Sequence, residues 1–212
     1  MSKDRLQAFY DAMLAIIMTI IVLEIVVPDN FTEKAFYELV EQVVAYAISF
    51  FWLATMWVGQ HNQMQMVSRI GIRTPWVFML LLFFCSFIPF LTHWVAHDFF
   101  NPWVQLVYGI DVIAISAVNS LMYRSLMKAN PDNAIFRDVR KRGEKITMAE
   151  TAIKIVGIVV GFLVFPPATL VCVVISGCID VYEELRGGPG RKGIGRKEQI
   201  KQAQDADPLV NN

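Results

Sequence analysis

From residue 6 onward the chain alternates long apolar runs with short polar joints. The runs occupy 6–27, 36–59, 75–96, 103–126, 146–165 and 168–185. Each approaches the ~20 mostly apolar residues that a helix needs to cross a bilayer core about 30 Å thick. The last two are the shortest and meet at Phe165-Pro166-Pro167, where a helix must stop. The pattern predicts an all-α integral membrane protein, with six transmembrane helices in residues 1–186 and a polar, glycine-rich cytosolic tail at 187–212. The first run is too long for a cleaved signal peptide and lacks a small-residue cleavage site, so it reads as the first span.

Composition agrees with this reading. Hydrophobic residues make up 55% of the chain and charged ones 18%, at a mean hydropathy of +0.45, which is more apolar than a soluble domain of this size tolerates. The formal net charge is zero, but the charges are not mixed. With six alternating spans, the basic residues from Lys3 and Arg5 through Arg69, Arg73, Lys128, Arg140 and Arg186 fall on one side. Only Lys34 falls on the other, and Lys154 lies inside a span. The positive-inside tendency then sets both termini in the cytosol, and the basic residues serve topology, with no nucleic-acid partner implied. Cys85, Cys172 and Cys178 lie within spans and read as small packing residues, leaving no disulfide framework or metal site.

Between the fourth and fifth runs, Pro131 and Asn133 suggest a turn followed by a short basic surface helix. Several polar residues interrupt the runs. Lys154 and Asp180 are at similar distances from the Pro166-Pro167 turn, so a hairpin sets them at one depth and predicts an intramembrane pair. Gly157 and Gly161 form a small-xxx-small face suited to close helix approach. Asp111 has no partner legible in the sequence.

The first run raises a sharper question, because it carries Asp11 at its front and Glu24 at its back. At about 100° per residue, Ile16, Ile20 and Leu23 form one stripe flanked by Ala12 and Thr19, while Asp11 points about 140° from Ile16. The aspartate should therefore face the helices packed behind. Antiparallel packing of the first two spans brings Arg5 and Asp11 to the depth of Trp57, Gln60, His61 and Asn62, whose N–H groups suit a carboxylate.

Here the chain resembles the transmembrane protein 175 family of endosomal and lysosomal potassium channels and their bacterial relatives. Arg5-x-x-x-Phe9-Tyr10-Asp11 is similar to the family's Arg-x-x-x-Phe-Ser-Asp signature, with Tyr10 in place of the serine. FFWLATMWVGQHN (50–62) is similar to the family's second helix, with Gln60 where histidine is frequent, and LLLFFCSFIPFLT (80–92) to its third. The resemblance implies a homotetramer of six-helix subunits in a lipid bilayer, with the first helices lining a central potassium pathway. It implies a pore constriction at Ile16, with Ile20 and Leu23 also facing the pore, and a selectivity-related threonine layer at Thr19. It also implies a polar network of Arg5, Phe9, Asp11, Trp57 and His61 behind the helix. Glu24 would form a cation-attracting ring at the outer mouth. No cofactor is implied beyond the permeant potassium ion, and no enzyme activity. One six-helix unit per chain resembles the bacterial members, which implies a bacterial cytoplasmic membrane.

Two other readings use different residues. His93 and His97 stand at i, i+4 with Asp98 adjacent, a spacing that suits a small membrane metal-binding protein or enzyme. Asp111, Lys154 and His61 would instead serve a proton-coupled transporter or a proton-permeable channel.

Overall fold

The computed structural model of the protein describes residues 2–30 and 32–186; the predicted tail at 187–212 lies outside them. Every regular element among the described residues is helical. The helices are α1 (Lys3–Leu23), α2 (Glu33–Met66), α3 (Thr74–Cys85), α4 (Ile88–His97), α5 (Pro102–Ala129), α6 (Ala134–Leu163) and α7 (Ala168–Leu185).

Local sequence explains where these helices start. Ser2, Thr32, Asn101 and Asn133 are N-caps whose side-chain oxygens accept from Arg5, Ala35, Trp103 and Phe136 backbone N–H groups. Pro102 follows its cap at the first helical position, where its missing N–H costs nothing. α3 and α4 are two pieces of the predicted third span. Pro89 has no N–H to offer the Cys85 carbonyl, and Ser86 turns its hydroxyl back onto the Phe83 carbonyl at 2.7 Å, so the helix breaks at Ser86-Phe87.

Five stretches are long and apolar enough to cross a membrane: Lys3–Leu23, Glu33–Met66, Thr74–His97, Pro102–Ala129 and Phe136–Leu163. α7 has 18 residues and carries Asp180, Glu183 and Glu184. It runs back along α6 after the Pro166-Pro167 turn, and Thr169 donates to the Gly157 carbonyl at 3.3 Å. Two boundaries differ from expectation. The basic stretch after Asn133 is not a separate surface helix; it continues without interruption into the apolar span as α6, because no proline or cap interrupts it. α2 runs on past residue 59 to Met66, which sets His61 and Asn62 on a helix where the sequence suggested a span end.

Polar contacts fix how the helices associate. Ser49, Tyr108 and Thr92 share a buried hydroxyl cluster joining α2, α5 and α4, with distances of 2.7 and 3.1 Å. At one end Asn130 bridges the α2–α3 joint, accepting from Ser68 and Arg69 N–H and donating to the Arg69 carbonyl, while Asn133 donates to the Met66 carbonyl. Those bonds set the 67–73 and 130–133 connections at the same end, the end that holds Lys3. In the α6–α7 seam a Cβ at Gly157 would collide with Cys172, and one at Gly161 with Thr169, so only glycine permits this approach.

Candidate functional site

α1 has two unlike faces. Leu6, Tyr10, Leu14, Ile17 and Ile21 are buried against α2, α3 and α4, with Tyr10 edge-on to Phe78 at 5.3 Å. The opposite face is bare. Arg5, Phe9, Ala12, Ile16, Thr19, Ile20 and Leu23 are all exposed, Ile16 at 52% and Leu23 at 78%. One subunit therefore leaves a continuous strip of branched aliphatic side chains uncovered along a helix held firmly from behind.

Three contacts hold the front of α1 to the end of α2. Trp57 Nε1 donates to Asp11 Oδ1 at 2.8 Å and Gln7 Nε2 meets His61 Nδ1 at 3.1 Å, the Trp57 and His61 rings lying 5.6 Å apart on α2 itself. Lys3 Nζ donates to the Met64 and Val67 carbonyls at 3.0 and 3.1 Å, a cation on the carbonyls that α2's C-terminus leaves unpaired. At the far end Val26 N–H donates to Gln42 Oε1 at 2.7 Å. His93 Nδ1 lies 3.1 Å from the Glu24 backbone oxygen and 3.3 Å from its carboxylate. α1 is thus pinned at both ends, and its bare strip has a fixed direction.

Thr19 sits on that strip with its hydroxyl hydrogen committed. It donates to the Ile16 carbonyl at 2.9 Å, so the lone pairs of Oγ1 are what the exposed face presents. An oxygen held in this way suits a cation and has no proton to offer an anion.

The geometry sorts the expected site residues. Asp11, Trp57 and His61 come together behind α1. Arg5 and Phe9, expected beside them, do not join; both are exposed on the face that carries Ile16. Eleven residues separate Arg5 from Ile16, close to three turns at about 3.6 residues each, so the helix returns them to one side. Glu24 is half-buried and its carboxylate is drawn toward His93 on α4. Lys154 and Asp180 line one cavity within electrostatic reach of each other but without a direct ion-pair contact: Lys154 Nζ donates to Ser116 at 3.2 Å, and the Asp180 carboxyl is within hydrogen-bonding reach of Glu150. Glu150, one turn before Lys154 on α6, joins the lysine beside Asp180.

Asp111 is buried with Oδ2 unpartnered, and neither it nor His61 lines the cavity that holds Lys154. The three residues of the transporter reading therefore stand apart. His93 and His97 stack at 4.5 Å between centroids, and His93 is engaged with Glu24. Sequence reasoning missed Lys3, Gln7 and Glu150. Their signals were present: a lysine at the expected depth of α2's end, a glutamine four residues before Asp11, and a glutamate four residues before the intramembrane lysine.

Comparison with known proteins gives a consistent picture. Residues 5–89 match the sequence profile described as endosomal/lysosomal potassium channel TMEM175. The chain is 29% identical over 138 residues to a protein named potassium channel from Chryseobacterium sp. (strain P1-3), covering 65% of this chain and 72% of that one. It is 28% identical to a protein of the same name from Chamaesiphon minutus (strain ATCC 27169 / PCC 6605), covering 59% of this chain and 66% of the relative. Its fold is similar to the crystal structure of a lysosomal potassium-selective channel TMEM175 homolog from Chamaesiphon minutus, with a TM-score of 0.64 at 23% identity, over 85% of this chain and 97% of that one.

Proposed function

From the match of residues 5–89 to the TMEM175 profile and the likeness to proteins named potassium channel, we propose that the chain is a member of the TMEM175 family and one subunit of a homotetrameric potassium channel in a bacterial cytoplasmic membrane. In this reading six membrane passes per subunit leave both termini cytosolic. Four copies of α1 surround a common axis with their bare strips turned inward. The observation that carries the reading is the contrast within α1: apolar side chains exposed along one face, and the other face and both ends tied down by α2, α3 and α4.

The chemistry follows from the residues on that strip. Four Ile16 side chains meeting on an axis exclude water and close the path by dewetting. A small outward movement admits a partly hydrated ion. Stripping water is costlier for a smaller ion, so an apolar neck favours potassium over sodium modestly. Thr19 stands one turn farther along, where its oxygen lone pairs replace part of the lost hydration. Ile20 and Leu23 extend the apolar lining, and Glu24 contributes negative potential at the outer mouth.

The test is potassium-driven flux into liposomes holding the purified protein, with sodium and proton gradients as controls. We expect cation flux that does not saturate as a carrier would and that favours potassium. Flux strictly coupled to protons would overturn the channel reading in favour of a transporter.

A further inference from the structure

A second polar feature lies inside the subunit, away from α1. α2, α5, α6 and α7 enclose a cavity of about 120 Å³ whose walls include Gln63, Asn119, Glu150, Lys154 and Asp180. A neighbouring hollow of about 120 Å³ shares Gln63, Glu150 and Asp180 and adds Glu183 and Glu184. α1 contributes to neither wall.

The bonding in this cavity is one-sided. Gln63 Oε1, Asn119 Oδ1 and Glu150 Oε1 are buried and have no hydrogen-bond donor. Gln63 is 1% exposed and Glu150 7%, so any partner must come from within the cavity. All three orphans are acceptors. Each buried polar atom left without a partner costs on the order of 1–3 kcal/mol, so something with positive character should fill the space. Lys154 does not do so fully. Its ammonium donates to Ser116 and stands 5.7 Å over the Trp52 ring, leaving the carboxyls of Glu150 and Asp180 oxygen to oxygen.

Charge counting points the same way. With Glu150 and Asp180 both ionised, two carboxylates against one ammonium leave a surplus of one negative charge, which a low-dielectric surrounding does not tolerate uncompensated; a proton shared between the two carboxyls is the rival compensation that the test separates. A divalent ion would overshoot. Oxygen donors from carboxylate and amide groups suit hard cations, and the volume accommodates one ion with about three waters, at roughly 30 Å³ each. We infer that the cavity between α2, α5, α6 and α7 binds one monovalent alkali cation, potassium or sodium, through Glu150, Asp180, Gln63 and Asn119. The site lies within each subunit and is separate from the permeation path. Glu183 and Glu184 in the neighbouring hollow draw cations toward it.

Thermal unfolding of the full-length protein in nanodiscs tests this. Potassium or sodium replaces N-methyl-D-glucamine at constant ionic strength, in parallel with liposome flux. Wild type should gain a saturable rise in midpoint of about 3–6 °C at ten times Kd. The rise should vanish in Glu150→Gln and shrink in Gln63→Met, while both variants still pass potassium. An unchanged rise in both variants would set the stabilising ion elsewhere, and no rise in wild type would mean that the cavity holds water alone. A rise on acidification in N-methyl-D-glucamine, to which alkali ions add nothing, would show that Glu150 and Asp180 share a proton, and would overturn the proposal. If Glu150→Gln does not fold, Gln63→Met decides. Flux is read separately, so failure of this site leaves the channel reading intact.

Discussion

α1 and the α6–α7 hairpin both carry charged groups into apolar surroundings, and they handle them in opposite ways. On α1 the carboxylate of Asp11 faces backward and takes one good partner, Trp57, at 2.8 Å, while the forward face is left apolar and uncovered. The hairpin closes on itself through Gly157 and Gly161, and its charges are left inside with acceptors that no donor reaches. An uncovered strip without orphaned polar atoms asks for more apolar surface or an axis of symmetry. An internal cavity with orphaned oxygens asks for water or a cation. The same raw material, a charged residue in a membrane helix, thus anchors a helix from behind in one region and is enclosed in the other.

Four substitutions break or sharpen this contrast. The largest effect is expected from Ile16→Asn. On the proposed pore, an amide on the bare strip should wet the neck, and basal potassium flux in liposomes should rise on the order of tenfold, about 1.4 kcal/mol off the barrier. Unchanged flux would remove Ile16 from the constriction. Gly157→Leu attacks the other region, because its side chain has no room against Cys172; overpacking of this kind costs about 1–3 kcal/mol and should lower the thermal midpoint with little change in ion preference.

Asp11→Asn weakens the Trp57 contact by about 1 kcal/mol. It should reduce the recovered tetramer, followed by size-exclusion chromatography with light scattering, and leave the reversal potential in place. A pure selectivity change would move Asp11 onto the axis. The smallest effect is expected from Thr19→Val, which keeps shape and removes the hydroxyl oxygen. The potassium/sodium permeability ratio should fall by about twofold, roughly 0.4 kcal/mol, read as a shift in reversal potential under bi-ionic conditions.

Much of the fold was legible because period and length carry it. The helical stripe in α1 separated Asp11 from Ile16 before any neighbour was known, and the side chains lie as that arithmetic predicts. The break at Ser86-Phe87 is masked in the sequence, although Pro89 marks it, because apolar composition continues on both sides. Arg5 and Phe9 were assigned by motif, and the helix's own pitch carries them to the exposed face. For the intramembrane lysine, depth was legible but partnership was not, since Glu150 and Ser116 compete for the same space and only packing chooses between them.

The sequence by itself determined an all-helical membrane protein, the positions of its apolar runs, and the two faces of the first helix, because hydrophobic length and a pitch near 3.6 residues are properties of the chain alone. Which charges meet, and which oxygens are left without a donor, was decided by the tertiary structure. Those outcomes depend on distances between residues as far apart as Asp11 and Trp57, or Ser116 and Lys154, which no local pattern encodes.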